Sequence, residues 1–371
     1  MKGASMPLVF DETRIDDPAA GVDPLRGVAS AAAQVRSARW AALEAELDRL
    51  GEEGRPRFIV VVGSGTGAFA GDLLNAVLGV GCPIPVVTVR GYRLPGWVAG
   101  HDLVVAIAST SGHDEDGRTR VAAEAVRRGC RFLAIGPSGS EITPLAEQAR
   151  APYITLPAST DPLGSPWGPT VALLTAVEKA GLRPLSDEVY EAAATRLESM
   201  AQRCRPAAET WDNPAKSMVL DLAGALPAVW GTTPVSGTAA EYWVSRMAAV
   251  AGYPALCGRL PDVLYDQAAT AGGPFGGAGQ RSIFDDPVED GDTRIRLVLL
   301  RDAEEPPETA RDVEAVAEAA RTRGVAVNEI VADPGHSMER LAGLIALTDY
   351  VTVYLAVAYG LDPLTHNLVV R

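Results

Sequence analysis

Short, unbroken apolar runs alternate with longer amphipathic stretches along most of this chain. "RFIVVVG" (57–63) ends at a glycine and passes through small residues into the helical pattern "SGTGAFAGDLLNAVL". Strands are predicted at "PVVTVRGY" (85–92), "DLVVAIAS" (102–109), "RFLAIG" (131–136) and "PYITLP" (152–157), with helices at 117–129 and 140–150 between them. Helical patterns over 26–50, 169–181 and 185–204 frame this half. Apolar runs without alternation read as strands buried on both faces, and the helices between them as the crossovers of a parallel sheet. The second half repeats the theme. Asp212-Asn213-Pro214 caps and starts a helix. It is followed by a strand at 227–233, a helix at 237–252, a strand at 294–302, a helix at 308–322, a strand at 325–332 and a helix at 336–359. The glycine- and acid-rich stretch 268–293 reads as an exposed loop. The pattern predicts an α/β chain of two doubly wound, flavodoxin-like parallel-sheet domains. The expected division is an N-terminal extension 1–25, a first domain 26–185, a connecting helix 186–210 and a second domain 211–371.

Composition narrows the function. At 371 residues the chain can hold two cores, and with 47% apolar but only 6% aromatic residues those cores are aliphatic. The formal charge of −14 argues against nucleic acid and anionic membranes, which reward clustered Lys and Arg. Cys82, Cys130, Cys204 and Cys257 are far apart, with no CxxC pairing, and so read as reduced core thiols. His101, His336 and His366 form no triad or metal pattern; His336 sits where it would cap a helix. Neither a metal nor a cofactor is expected. The N-terminus lacks the apolar core of a signal peptide, which predicts a soluble, cytoplasmic protein.

Candidate chemistry lies at two predicted strand ends. The loop after 57–63 reads Gly63-Ser64-Gly65-Thr66-Gly67, and the loop after 102–108 reads Ser109-Thr110-Ser111-Gly112-His113-Asp114. Ligands of parallel sheets sit at the carboxyl ends of strands, where small hydroxyl residues and helix N-termini present donors to anions. Asp114 conflicts with that role.

The stretches "VVVGSGTGAFAGDLL", "VVTVRGYRLPGWV", "DLVVAIASTSG", "WDNPAKSMVLDLAGALPAVWG", "LVLLRD" and "DYVTVYLAVAYGLDP" together resemble, in order and spacing, the bifunctional phosphoglucose/phosphomannose isomerases. That family is built from two sugar isomerase (SIS) domains. The resemblance implies two SIS folds, a homodimer whose cleft both subunits complete, and a sugar-derived ligand. It also implies which positions to inspect. Gly67 stands where the family's first loop has a phosphate-binding serine, with Thr66 one position early. Ser109 and Ser111 match the second loop's serines, but Asp114 replaces its threonine. A carboxylate there would oppose a phosphate by ~4 kcal/mol per charge pair at ~4 Å and an effective dielectric near ~20. Ala249 replaces the glutamate base, Tyr265 the ring-opening histidine and Leu163 the arginine that supports the enediolate; the sequence reaches Arg371 without the family's late lysine. No Arg or Lys occurs between Arg150 and Lys179.

Each of these positions has a plainer account. Ser109 and Ser111 are either a retained ligand loop or a turn that caps a helix, and Asp114 is either a changed ligand preference or an acid facing a helix N-terminus. Tyr265 and Asp266 are either a new acid/base pair or a surface loop. Glu241, eight residues before Ala249, lies on the same helix side two turns earlier. The expectation is a protein degenerate as an isomerase and acting in binding or regulation. The rival is an enzyme with altered chemistry in the same inter-domain cleft, using Tyr265, Asp266, Asp114 or Glu241. A third possibility is the family's own aldose–ketose sugar phosphate isomerisation.

Overall fold

The computed structural model describes residues 8–17, 19–108, 115–157, 161, 163–182, 184–277 and 293–364, with the backbone alone at 115–116. The chain forms two units, each built on one parallel sheet. The first is Gly27–Glu198; the second runs from Ser199 onward and includes the N-terminal residues up to Arg26.

After a 3₁₀ turn (Glu12–Asp16), the chain enters α1 (Val22–Ala29), α2 (Ala31–Glu44) and α3 (Asp48–Glu52). The single helical stretch expected over 26–50 is therefore in pieces. At the first break the Ser30 hydroxyl and N–H both donate to the Gly27 carbonyl, at 2.6 and 3.0 Å, so the side chain competes with the helical ladder. At the second, Ala45 is extended.

The first sheet is formed by β1 (Ile59–Val62), β2 (Val86–Val89), β3 (Leu103–Ile107), β4 (Arg131–Gly136) and β5 (Tyr153–Thr155), in the order β2-β1-β3-β4-β5. Its helices are α4 (Gly65–Leu78), α5 (Glu115–Arg127), α6 (Thr143–Ala149), α7 (Trp167–Lys179) and α8 (Asp187–Arg203). Val60, Val104 and Phe132 share a register row and pack with Val121, Ala122 and Ala125 of α5 and Ile142 and Ala146 of α6. Ile59, Val61, Leu103 and Val105 point to the other face, where α4 and α7 lie against the sheet. There α4 docks backbone-first, because a Cβ on Gly71 would lie 2.9 Å from the Cβ of Val61. Both faces being covered is why these strands read as uninterrupted apolar runs.

The second sheet has the order β7-β6-β8-β9, with β6 (Leu226–Gly231), β7 (Leu256–Arg259), β8 (Ile295–Arg301) and β9 (Ala326–Val331). Around it lie α9 (Pro214–Leu222), α10 (Pro234–Ala251), the single turn α11 (Val263–Asp266), α12 (Pro307–Thr322) and α13 (Ser337–Ala358). Asn213 caps α9 as its sequence predicts, accepting from the N–H of Ala215 and Lys216 at 3.0 and 3.1 Å. Of the stretch read as a loop, Ala268–Gly272 forms a 3₁₀ turn and the Ile295 N–H donates to the Phe275 carbonyl at 2.6 Å, while 278–292 lies outside the described residues. By length and composition α13 is apolar enough to cross a membrane. However, 89% of its most apolar window is buried against the protein, so it is a core helix. The described N-terminal residues belong to this packing. The Asp11 N–H donates to the Ala358 carbonyl at 3.0 Å, and Phe10 meets Tyr359 edge-on.

Candidate functional site

In each sheet the strand order reverses beside one central strand, the topology that favours ligand binding at the loops leaving that strand and its later neighbour. In the first unit these are the loops after β1 and β3, and in the second the loops after β6 and β8.

The first crevice is built on glycines. Gly63 ends β1, and a Cβ there would come within 2.8–3.0 Å of the backbone of Gly67 and Ala68. Only glycine lets the first turn of α4 approach the strand end so closely. Ser64 is the N-cap residue in extended conformation, and its carbonyl accepts from the N–H of Gly67 at 2.8 Å. Its side chain makes no capping bond. Gly65 has a φ of +48°, and among the described residues nothing lies within 4 Å of where its Cβ would be. The positive end of α4 is thus not capped by the Ser64 side chain, nor covered at Gly65 by any described residue, the arrangement that favours an anionic or polar ligand group.

Gly67 is buried, and a Cβ added to it would lie 3.1 Å from Cγ2 of Ile107, a core residue of β3. A serine here would press on the sheet. Gly67→Ser, which puts back the residue type found in the isomerases it resembles, is therefore expected to lower the midpoint of urea unfolding, a loss of stability of roughly 1–3 kcal/mol through overpacking. It should gain no affinity for fructose 6-phosphate in a thermal-shift titration. An unchanged midpoint would mean that Ile107 gives way freely.

Ser109, Ser111 and Asp114 lie outside the described residues. The described residues on either side are Ala108, whose N–H donates to Ile135 at 2.9 Å, and the start of α5. Leu163 is half-buried between β5 and α7, its N–H donating to Asp161 Oδ1 at 3.0 Å. Arg90 follows β2 at the same end of this sheet, but turns both terminal nitrogens to Asp72, two turns into α4.

The second crevice is occupied by the protein's own side chains. Thr233 and Ser236 form a reciprocal cap on α10. The Thr233 hydroxyl also donates to Asp302 Oδ2 at 2.6 Å, and the Thr232 hydroxyl to Glu305 Oε1 at 2.7 Å. Asp302 is buried and pairs with Arg340 at 2.6 Å; Glu305 pairs with Arg301 at 2.7 Å. Burial alone would raise the pKa of Glu305, but the bonds from Arg301 and Thr232 outweigh it and hold the carboxyl below its usual range. Two carboxylates from the loop after β8 therefore face the N-terminus of α10.

The remaining candidates are on this second unit. Ala249 is exposed near the end of α10. Glu241 lies on the same helix and pairs with Arg259 at 2.8 Å. Tyr265 is 88% exposed on α11, and Asp266 beside it is exposed too. His336 caps α13, accepting from the Met338 N–H at 3.3 Å. Among the described residues, no group of three or more His, Cys, Asp or Glu is placed to hold a metal ion.

Two parallel sheets, each flanked by helices, define the class as an α/β protein of two doubly wound units. Residues 211–371 match the family model of the bacterial phospho-glucose isomerase C-terminal SIS domain. Beyond these residues, the chain is similar to the bifunctional phosphoglucose/phosphomannose isomerases. It is 27% identical over 306 residues to the bifunctional phosphoglucose/phosphomannose isomerase of Caldicellulosiruptor bescii, which covers 82% of this chain and 85% of the relative. Among solved structures, tagatose-6-phosphate ketose/aldose isomerase from Escherichia coli matches with a TM-score of 0.62 at 15% identity, covering 94% of this chain and 95% of that one. The C-terminal domain of glucosamine-fructose-6-phosphate aminotransferase from Francisella tularensis matches with a TM-score of 0.63 at 11% identity, over 92% and 97%. At these identities the two structures share the fold with this chain.

Proposed function

We propose that this protein binds a sugar-derived small molecule at the carboxyl end of its first sheet and no longer catalyses aldose–ketose isomerisation. On this reading it acts in binding or regulation in carbohydrate-derivative metabolism, as a homodimer in the cytoplasm. One observation carries the choice of site. The N-terminus of α4 is not capped by the Ser64 side chain and no described residue covers it at Gly65, whereas the N-terminus of α10 already faces Asp302 and Glu305. Gly65, Thr66 and Gly67, with Ser109, Ser111 and Asp114 of the neighbouring loop, are the proposed ligand-binding residues.

The loss of isomerase activity is argued from chemistry. Proton transfer between C1 and C2 of a sugar needs a base held within hydrogen-bond reach of the substrate. An alanine methyl at 249 has no such group. Tyr265 offers a phenol, which unlike an imidazole cannot become a cation, and Leu163 offers nothing to an enediolate. The test is a thermal-shift and turnover series with glucose 6-phosphate, mannose 6-phosphate, fructose 6-phosphate and their dephosphorylated forms. We expect stabilisation by at least one of them, with turnover no higher than a no-enzyme blank. Turnover well above the blank would overturn the loss of catalysis, and the absence of any shift would overturn the binding role.

A further inference from the structure

We propose that the second sheet carries an oxyanion site of its own, and that Asp302 closes it from within: its carboxylate is an internal ligand, lying where a small free carboxylate would otherwise bind. The contact is autoinhibitory. It concerns the second unit alone and does not depend on the ligand proposed for the first.

Register brings the parts together. Gly231 of β6 pairs with Leu300 of β8, so Thr233 and Asp302, each two residues further on, leave the sheet on the same rim. The turn into α10 is as tight as the turn into α4. A Cβ on Gly231 would fall 2.3 Å from N and Cα of Gly237, so only glycine lets the first turn of α10 close on the strand end. With 18 residues, α10 brings the positive end of a long helix to this rim, where an anion is favoured.

The group that fills this place has the contacts of a bound anion. Asp302 Oδ2 accepts from the Thr233 hydroxyl at 2.6 Å, and Oδ1 accepts from the Glu304 N–H at 3.4 Å. Oδ1 also lies 2.6 Å from Nε of Arg340. Asp302 and Arg340 are 5% and 6% exposed. One feature marks the occupant as a poor fit. Among the described residues the buried Nε–H of Arg340 has no acceptor in line, although Oδ1 is at contact distance. The pair is therefore made without the directed bond that an arginine and a carboxylate normally share. Asp302 is tethered to the backbone leaving β8 and does not align with Thr233 and Arg340 together. A free carboxylate has no such tether.

The neighbouring acids leave room for an anion. Glu305 is paired with Arg301 at 2.7 Å and accepts from the Thr232 hydroxyl. Glu304 meets Nη1 of Arg340 at 2.8 Å, but from a side chain 68% exposed, where the interaction is weak. Without Asp302 the rim would present a buried guanidinium short of its counter-charge beside the N-terminus of α10, and such a charge draws a partner strongly.

The experiment uses the full chain with sodium formate as the probe and sodium chloride at equal ionic strength as the reference. Formate has the size of the carboxylate that Asp302→Ala removes. Thermal unfolding is followed by circular dichroism for wild type, Asp302→Ala, Asp302→Asn and the double variant Asp302→Ala/Arg340→Met. Formate is expected to raise the midpoint of Asp302→Ala saturably, by roughly 3–6 °C at about ten times its Kd. Wild type and Asp302→Asn, whose side chains still fill the place, should unfold alike in the two salts. So should the double variant, which lacks the cation. Asp302→Ala unfolding alike in formate and chloride would overturn the proposal, as would an equal response in wild type, the mark of a general salt effect or of binding elsewhere. Where Asp302→Ala does not fold in chloride, the same comparison is read as recovery of the circular dichroism signal on refolding in formate, and no recovery overturns it.

Discussion

Asp302→Ala is expected to destabilise the second unit by about 3–5 kcal/mol, the cost of leaving a buried charge without its partner. Arg340 is 6% exposed and its Nε lies 2.6 Å from Asp302 Oδ1. Its other partners are the Gly335 carbonyl at 2.7 Å and Glu304, whose side chain is 68% exposed and so contributes weakly. The substitution also removes the acceptor of the Thr233 hydroxyl at the N-cap of α10. Asp302→Asn keeps an acceptor of the same shape without the charge and should fall between wild type and alanine. Urea unfolding followed by circular dichroism measures both. A midpoint for Asp302→Ala equal to wild type would mean that Glu304 and the Gly335 carbonyl satisfy Arg340 unaided.

The second large effect is expected at Lys216. Its ammonium group, on a side chain only 2% exposed, donates to Asp16 Oδ1 at 3.1 Å and to the carbonyls of Pro206 and Ala208 at 3.0 Å each. Methionine preserves the length of the stem but removes all three donors. Two orphaned carbonyls at about 1–3 kcal/mol each predict a loss of about 2–6 kcal/mol. The pH dependence should change in a defined direction. The Thr210 hydroxyl holds the Asp16 carboxyl below its usual pKa against the opposing effect of burial, and the hydrogen bond and charge of Lys216 each lower it further by a smaller amount. A depressed folded pKa means that this contribution is fully present above the unfolded value, near ~4, and is lost as the pH falls through the folded one. Lys216→Met should therefore be less stable at neutral pH and lose less on acidification than wild type. Unfolding midpoints recorded from neutral to strongly acidic pH test this. An acid limb as steep as that of wild type would show that Thr210 alone sets the Asp16 pKa.

Much of the fold could be read in the sequence because its strands are covered on both faces. Ile59-Val60-Val61-Val62 and Leu103-Val104-Val105-Ala106-Ile107 have no solvent side to write a polar alternation, so each appears as a plain apolar run. The edge strand β7 was missed for the opposite reason. Leu256-Cys257-Gly258-Arg259 is only half-buried and carries a glycine and a charge, so no run marks it. The helix breaks near Ser30 and Ala45 were missed because alanine-rich propensity dominates the pattern, whereas one hydroxyl bonded to a carbonyl decides the first geometry.

The candidate site divides in the same way. That glycine and serine loops follow β1 and β3, that Ala249, Tyr265 and Leu163 stand where the resembling isomerases carry catalysts, and that 151–178 holds no Arg or Lys, all follow from the order of residues alone. Sequence also determines that two sheets of this kind form, because burial on both faces is written into the composition of their central strands. Only the tertiary structure decides which helix N-terminus is taken. Thr233 and Asp302 are far apart in the chain, as are Asp302 and Arg340, and nothing local to any of them announces the bond. The same holds for Arg90, an ordinary residue after a strand until Asp72, Thr88 and Phe69 are brought around it. Hydrophobic periodicity is a property of neighbours along the chain, whereas the pairing of buried charges is set by elements that meet only after folding. For this protein the architecture is therefore legible in sequence, and the electrostatics of its two crevices are not.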